Sequence, residues 1–294
     1  MTSPLYYLGC PVWACDQWTG SLFTRHAKRA EWLEQYSSVF GTVEGNSTFY
    51  GLPSTGTVER WARSVASGFR FALKFPRAIS HENRLHGAAG ETQAFLKILE
   101  TLAKADCLGP SFLQLPPSFS CKQFSDLERY LRSLPKDFPY AVEPRHKDFF
   151  DEGDVEGRLD DLLRELRVDR VVFDSRPLFS GPPSDDDEAE AQRRKPRPPV
   201  HTTTTAKHAL LRFVGRNNVD TSQPWIEEWA PVIAAWIKEG LTPYVFAHTP
   251  NNAYAPELAR RLHQETAKHC ADIGALPAWP GESEERQPRQ LELF

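Results

Sequence analysis

Short apolar runs and longer amphipathic stretches alternate along this chain. Residues 5–10 form a compact apolar run that stops at Gly-Cys-Pro, and residues 25–39 follow with apolar side chains at helical spacing (Ala30, Leu33, Tyr36, then Phe40). Apolar residues recurring every three or four positions mark one helix face, whereas short bounded runs mark buried strands. Further strand-type runs fall at 42–46, 69–75, 111–115, 140–143, 170–174, 209–213 and 243–247. Helical patterns fall at 57–64, 91–103, 124–133, 159–166, 225–238 and 256–269. Strands that alternate with helices predict a parallel sheet with crossover helices. On 294 residues this predicts an α/β fold, a single-domain (β/α)8 TIM-type barrel, which takes roughly 250 residues. An open doubly wound sheet is the alternative. No GxGxxG turn follows the first strand, which removes the simplest dinucleotide-binding reading.

Two segments break the rhythm. Residues 180–199 carry an acidic block and then a basic block framed by prolines. Such a composition buries little apolar surface, so it predicts a disordered insertion between the sixth and seventh strands. Residues 280–289 are polar and lead into Gln-Leu-Glu-Leu-Phe. The expected organisation is therefore a barrel over 1–279 and a flexible tail over 280–294.

Composition narrows the field. A hydrophobic fraction of 40% supports a sizeable core, and a net charge of -4 is not the footprint of a bulk nucleic-acid binder, though it leaves room for a local basic cleft. The five cysteines (Cys10, Cys15, Cys107, Cys121, Cys270) are scattered and form no CxxC pair, as expected of reduced thiols in a cytoplasmic protein. No secretory signal is visible at the start. No apolar stretch approaches the roughly 18 residues of a membrane span, so no membrane partner is expected.

In a TIM-type barrel the chemistry sits where strands end at their C-terminal side. The second strand delivers Glu44, Asn46 and Tyr50; the third Lys74, Arg77 and His81; the fourth Gln114; the fifth Glu143, Arg145 and His146. The sixth ends in Asp174, the seventh carries Arg212, and the eighth leads to His248, Asn251 and Asn252. Any one of these has an ordinary structural explanation, such as a Glu143–Arg145 ion pair. Together they predict one polar pocket. Glu44, Glu143 and Asp174 are its candidate acid/base or metal-binding groups. Lys74, Arg145 and Arg212 are its candidate anion clamps, and the remaining residues are candidate substrate contacts. Glu143, His146, Asp174 and His248 offer donors for a divalent metal, but no HExxH is present and the cofactor stays unassigned. No GxSxG is present, and Cys10 and Cys15 lie beside aromatics rather than a base. Trp13, Trp18, Phe23, Phe49 and Tyr50 fall in the first two strand-to-helix loops, where they either stack on ligands or pack beneath the loops.

Several of these stretches carry a family likeness. Gly9-Cys10-Pro11-Val12-Trp13, Trp18-Thr19-Gly20 and above all Val43-Glu44-Gly45-Asn46-Ser47-Thr48-Phe49-Tyr50 resemble the YecE-like family, or domain of unknown function 72. Phe71-Ala72-Leu73-Lys74-Phe75-Pro76-Arg77 with His81, Gln114-Leu115-Pro116-Pro117, Glu143-Pro144-Arg145-His146 and Asp174-Ser175 extend the match. The resemblance implies a TIM-type barrel and no settled reaction. Its fold is related to barrels that include metal-dependent sugar isomerases and abasic-site endonucleases, which is analogy at the level of fold. One departure stands out. Family members often show Arg-x-His-Gly on the seventh strand, whereas this chain has Arg212-Phe213-Val214-Gly215. A mechanism that needed that imidazole does not transfer.

The ending resembles another short pattern. Gln290-Leu291-Glu292-Leu293-Phe294 resembles the peptide with which bacterial proteins dock on the DNA-polymerase sliding clamp. Leu291, Leu293 and Phe294 suit anchors in an apolar groove, with Gln290 making polar contacts, and the polar stretch before them suits a tether. The expected function is an enzyme acting on a phosphate-containing substrate, DNA or nucleotide-derived, held at replication or repair sites by the clamp. A sugar-phosphate isomerase or hydrolase unrelated to DNA is one alternative, and a non-catalytic clamp-binding adaptor is another.

Overall fold

The computed structural model describes residues 4–286. The chain opens with β1 (Tyr7–Gly9), α1 (Trp32–Ser37), β2 (Thr42–Gly45), α2 (Ser47–Tyr50), α3 (Thr55–Ser64) and β3 (Arg70–Leu73). It continues through α4 (Ala89–Lys104), β4 (Ser111–Gln114), α5 (Phe124–Ser133), β5 (Tyr140–Glu143), α6 (Asp154–Leu166) and β6 (Asp169–Asp174). It ends with α7 (Asp186–Arg194), β7 (Leu210–Val214), α8 (Gln223–Lys238), β8 (Tyr244–His248), α9 (Ala255–His269) and α10 (Pro280–Arg286). Six strands form one curled parallel sheet in the order β1-β8-β7-β6-β5-β4, and β2 and β3 form a parallel pair. The closed eight-strand sheet expected from sequence is thus divided in two. Backbone bonds link the pieces: Phe71 N donates to Cys107 O and Phe75 N to Phe112 O on one side, and Glu44 N donates to Cys10 O on the other.

The β1–β2 seam is narrow for a specific reason. The Tyr36 hydroxyl of α1 accepts from Cys10 N at 2.7 Å and donates to Thr42 O at 2.9 Å, bridging backbone groups that no ladder pairs. A phenol at this point leaves room for nothing else. A Cβ built on Gly9 would lie 2.0 Å from Thr42 O and 3.0 Å from the Tyr36 hydroxyl.

Side chains on a strand alternate between faces, so residues two apart share a face. One interior layer is apolar: Tyr7, Ala72, Phe112, Ala141, Val171, Leu210, Tyr244 and Phe246 form a cluster drawn from seven of the strands. Stepping two residues along each strand gives Lys74, Gln114, Glu143, Phe173, Arg212 and His248. The polar layer therefore rests on a hydrophobic floor and is placed by strand parity. The outer faces pack against the helices in a second, larger core that includes Phe75, Phe95, Leu99, Leu163, Trp229 and Ile233.

Two sequence expectations change here. Residues 180–199, expected to be disordered, contain α7, whose Asp185 carboxylate caps the helix by accepting from Glu188 N at 2.8 Å. Glu188 is buried and paired with Arg216, at 2.5 Å, which is what lets so polar a segment take a fixed place. Residues 280–286, expected to begin a tail, form α10, and Glu284 accepts from Arg25 N at 2.8 Å. The Gln290–Phe294 peptide lies outside the described residues. No helix among them is long and apolar enough to cross a membrane.

Gly9→Ala is expected to destabilise the protein by about 1–3 kcal/mol, as overpacking typically does, because the added methyl meets backbone and not a movable side chain. Denaturant unfolding measures this; an unchanged midpoint would show that the seam has slack.

Candidate functional site

Arg212, in the middle of β7, lies at the centre of the polar layer. Its Nε and one terminal nitrogen each donate to Glu44 of β2 at 2.7 Å, and its other terminal nitrogen donates to Glu143 of β5 at 2.5 Å. All three residues are buried. Bidentate Arg–carboxylate geometry is the strong form of this contact. The carboxylates have further donors. Glu44 accepts from Asn46 Nδ2 at 2.7 Å and is 3.0 Å from His248 Nε2. Glu143 accepts from Arg145 Nε at 2.6 Å and from Gln114 Nε2 at 3.0 Å. An ionised carboxylate only accepts, so a neutral His248 facing Glu44 must carry its proton on Nε2.

Electrostatics follow from this saturation. Burial alone would raise both glutamates, but Arg212 and His248 hold Glu44 well below the ordinary carboxylate range. Arg145, Arg212 and Lys74 bring Glu143 down to about 2. Both are anions across the neutral range, and with no open proton-transfer range they serve to hold and orient Arg212. His248 is drawn down to about 4 by burial, despite Glu44 beside it.

The cations outnumber the anions. Lys74, at the end of β3, is buried, with Nζ 3.9 Å from the centre of the Phe49 ring. Burial, reinforced by Arg212, lowers it to about 7. Lys195, half-buried at the C-terminal end of α7, is lowered to about 8 by burial and then by Arg212. Among the described residues neither ammonium makes a hydrogen bond or ion pair, whereas Glu44 and Glu143 are fully engaged. Arg145 adds a third positive group, 5.3 Å over the Phe173 ring that also faces Arg212. His81, lowered to about 4 by burial and then by Lys74, packs edge-on to Phe49 at 5.0 Å between ring centres.

Glu44, Asn46, Lys74, His81, Gln114, Glu143, Arg145, Arg212 and His248 therefore come together. Asp174 does not. Its parity is opposite to that of Phe173, so its carboxylate turns into the helix layer, accepting from Trp229 Nε1 at 2.7 Å and pairing with Arg176 at 2.8 Å. His146 caps a short turn, accepting from Asp148 N at 3.2 Å. Arg77 pairs with Glu82 at 3.3 Å on the surface, and Tyr50 is 79% exposed. Asn251 accepts from Ala253 N and donates to Asp187 of α7, both at 2.9 Å, while the Asn252 carbonyl accepts from Trp18 Nε1 at 2.9 Å. These residues shape the rim. Among the described residues no three His, Cys, Asp or Glu side chains are placed to hold a metal ion. The four proposed metal donors are scattered among separate bonds. Sequence reading missed Lys195, because it lies in a charge run that reads as solvated.

The helix α7 spans the rim. Asp185 accepts from Asn217 Nδ2, Glu188 pairs with Arg216, and Asp187 accepts from Asn251, so the loops after β7 and β8 are tied to it. Ala191 packs with Phe173, Leu178 and Val214. Val214 stands where the family likeness led us to expect a histidine, and there it supplies apolar seating for α7 instead of a ligand contact.

Acid should weaken the fold in two windows. His81 and His248 are near 4 when folded, against 6.5 unperturbed. The unfolded chain binds those protons first, so the histidines' contribution is full above 6.5 and declines as pH falls toward 4. Glu143, near 2 against 4.5, contributes stability above 4.5 that is lost as pH falls toward 2. Denaturant midpoints across these ranges are expected to fall, and His248→Gln is expected to make the upper window shallower, leaving the share set by His81. A flat wild-type profile there would mean that the rings are not held neutral.

Comparison with known proteins places this architecture. The model of a family described as a protein of unknown function, DUF72, matches residues 7–283. UPF0759 protein YecE of Escherichia coli (strain K12) is 37% identical over 279 residues, covering 95% of this chain and 99% of that protein. A DUF72 family protein of Thermotoga maritima MSB8 has a similar fold, with a TM-score of 0.67 at 24% identity over 90% of this chain and 98% of that one. Another, from Enterococcus faecalis V583, gives 0.66 at 18% identity over 89% and 95%. With its parallel α/β architecture and its polar layer drawn from successive strand ends, the chain belongs to the DUF72 family.

Proposed function

We propose that this protein is an enzyme acting on a phosphate-bearing substrate held above the Glu44–Arg212–Glu143 bridge. The observation that carries the reading is the excess of positive charge. Arg212, Arg145, Lys74 and Lys195 face two carboxylates that are already fully bonded. Lys74 is buried and Lys195 half-buried, neither with an acceptor among the described residues; an unpaired cation away from water is costly, and an anion entering the site would supply the missing acceptors. In this reading Arg145 and Lys195 bind the anion, and Lys74 lines the same site. Glu44, Glu143 and Arg212 are positioning residues. Asp174 has no part in it. We also propose that the six-strand sheet and the β2–β3 pair act as one closed (β/α)8 barrel, supported by the backbone bonds at both junctions. Barrels of that kind place their reacting groups at the rim where Lys74 and Lys195 lie.

A DNA or nucleotide-derived phosphate is the form of substrate favoured by the Gln290-Leu291-Glu292-Leu293-Phe294 peptide. Docking on the sliding clamp would supply local concentration to a protein that is acidic overall. The sugar-phosphate alternative uses the same cations without the clamp.

Inorganic phosphate is expected to bind in calorimetric titration, and Lys195→Met to weaken it about tenfold, or about 1.4 kcal/mol. Equal affinity in the variant would remove Lys195 from the site, and no binding in either would remove the anion reading. Titration into purified clamp is expected to give binding that disappears when residues 290–294 are deleted. Binding that survives the deletion, or none at all, would exclude the peptide as the tether.

A further inference from the structure

We propose that Lys74 is a carbonyl-capturing amine, and that the substrate is an aldehyde or ketone carrying a phosphate. This rests on the anion reading above and says what the site does to the bound molecule.

The geometry separates Lys74 from an ordinary counter-ion. A lysine that balances charge sits on a carboxylate. Glu143 and Glu44 are both close enough to affect Lys74, yet their oxygens go to Arg212, Arg145, Gln114, Asn46 and His248. The amine is instead presented to the face of Phe49, at 3.9 Å, with no hydrogen bond or ion pair among the described residues. It stands at the C-terminal end of β3 and is 7% exposed. Thr48 fixes the backbone beneath it, its hydroxyl donating to Lys74 O at 2.6 Å. Burial and the neighbouring Arg212 lower the amine to about 7, so a substantial share of it is neutral at neutral pH. A desolvated lysine beside another cation is a recognised way of making an amine nucleophilic. The arginines supply the fixed charge for the phosphate. Arg145 is a planar guanidinium bonded to Glu143 at 2.6 Å, a geometry suited to holding phosphate oxygens.

The step balances without a further reactant. The nitrogen lone pair forms a C–N bond to the carbonyl carbon. One of the amine's two protons passes to the carbonyl oxygen, and a second proton, taken from water, lets that oxygen leave as water when the C–O bond breaks. The iminium keeps the remaining N–H and carries the positive charge of the added proton. His81 is the relay beside the amine. Its ring shares Phe49 with Lys74, and its Nδ1 is held by Ser80 Oγ at 2.8 Å.

The test uses the intact protein at pH 7, glyceraldehyde 3-phosphate as probe, and cyanoborohydride to reduce any imine to a stable amine. Peptide mass mapping is expected to find Lys74 modified at least about tenfold faster than exposed lysines such as Lys104 and Lys268, because the neutral amine is the reacting form. Inorganic phosphate should slow the reaction at Lys74 alone, and glyceraldehyde without phosphate should lose the preference. Lys74→Arg should abolish capture at this position while retaining phosphate binding. An oligonucleotide carrying an abasic aldehyde, run in parallel, separates the two sources of the same chemistry: capture of the small sugar phosphate alone assigns a metabolite, and capture of the oligonucleotide alone assigns DNA. Adducts spread evenly over exposed lysines would overturn the proposal. If phosphate still bound in that case, the anion site would stand without the imine; if it did not, both readings would fall.

Discussion

Everything in the interior depends on one guanidinium. Arg212 belongs to the six-strand sheet, and Glu44 belongs to the separate β2–β3 pair. Their bidentate contact therefore joins the two sheets from within, and Glu143 draws β5 into the same bridge. Charges so deeply buried are tolerated only when each finds its partners, and removing one partner from such a pair typically costs about 3–5 kcal/mol. The bridge also sets the electrostatic tone of the site. It keeps both carboxylates ionised, while burial, with Arg212 adding to it and the two glutamates opposing it, lowers the nearby lysines.

The polar insertion is the complement to that bridge. By itself the Asp- and Arg-rich segment has little apolar surface to bury. It is held by side-chain bonds to Arg216, Asn217 and Asn251 and by a small apolar cluster in which Ala191 meets Phe173, Leu178 and Val214. Its last helical turn carries Lys195 to the cations below. The valine on β7 and the helix above it form a single adaptation, because a polar side chain at 214 would meet Ala191 rather than a ligand.

Much of this was legible in the chain. The alternation of strand and helix patterns anticipated the observed strands closely, since residues buried on both faces leave continuous apolar runs. Collecting polar residues at strand ends also found Glu44, Lys74, Gln114, Glu143 and Arg212, which the structure brings together. What failed was parity. Counting in twos from Val171 passes through Phe173 and misses Asp174, so its turn toward Trp229 was available from sequence but went unused. Lys195 carried no such signal. Its role depends on where a charged segment folds, which local composition does not determine. The helix expected over 25–39 is another case: only Trp32–Ser37 is α-helical, because the preceding residues wrap the aromatic cluster of Trp18, Phe23 and Trp32.

The phenol of Tyr36 gives the sheet a hinge of unusual kind. Elsewhere neighbouring strands hold each other through several peptide groups, as ladders within each sheet and as separate backbone bonds between β3 and β4. Between β1 and β2, among the described residues, the work falls on the Tyr36 hydroxyl, one backbone bond and the Asn46 amide donating to Pro11 O. Local openings begin where the fewest such bonds must break. The molecule therefore has a preferred line of fracture, running beside the strand that carries Glu44. A transient parting there would loosen the Glu44 end of the ionic bridge first, coupling the breathing of the wall to the pairing of Arg212.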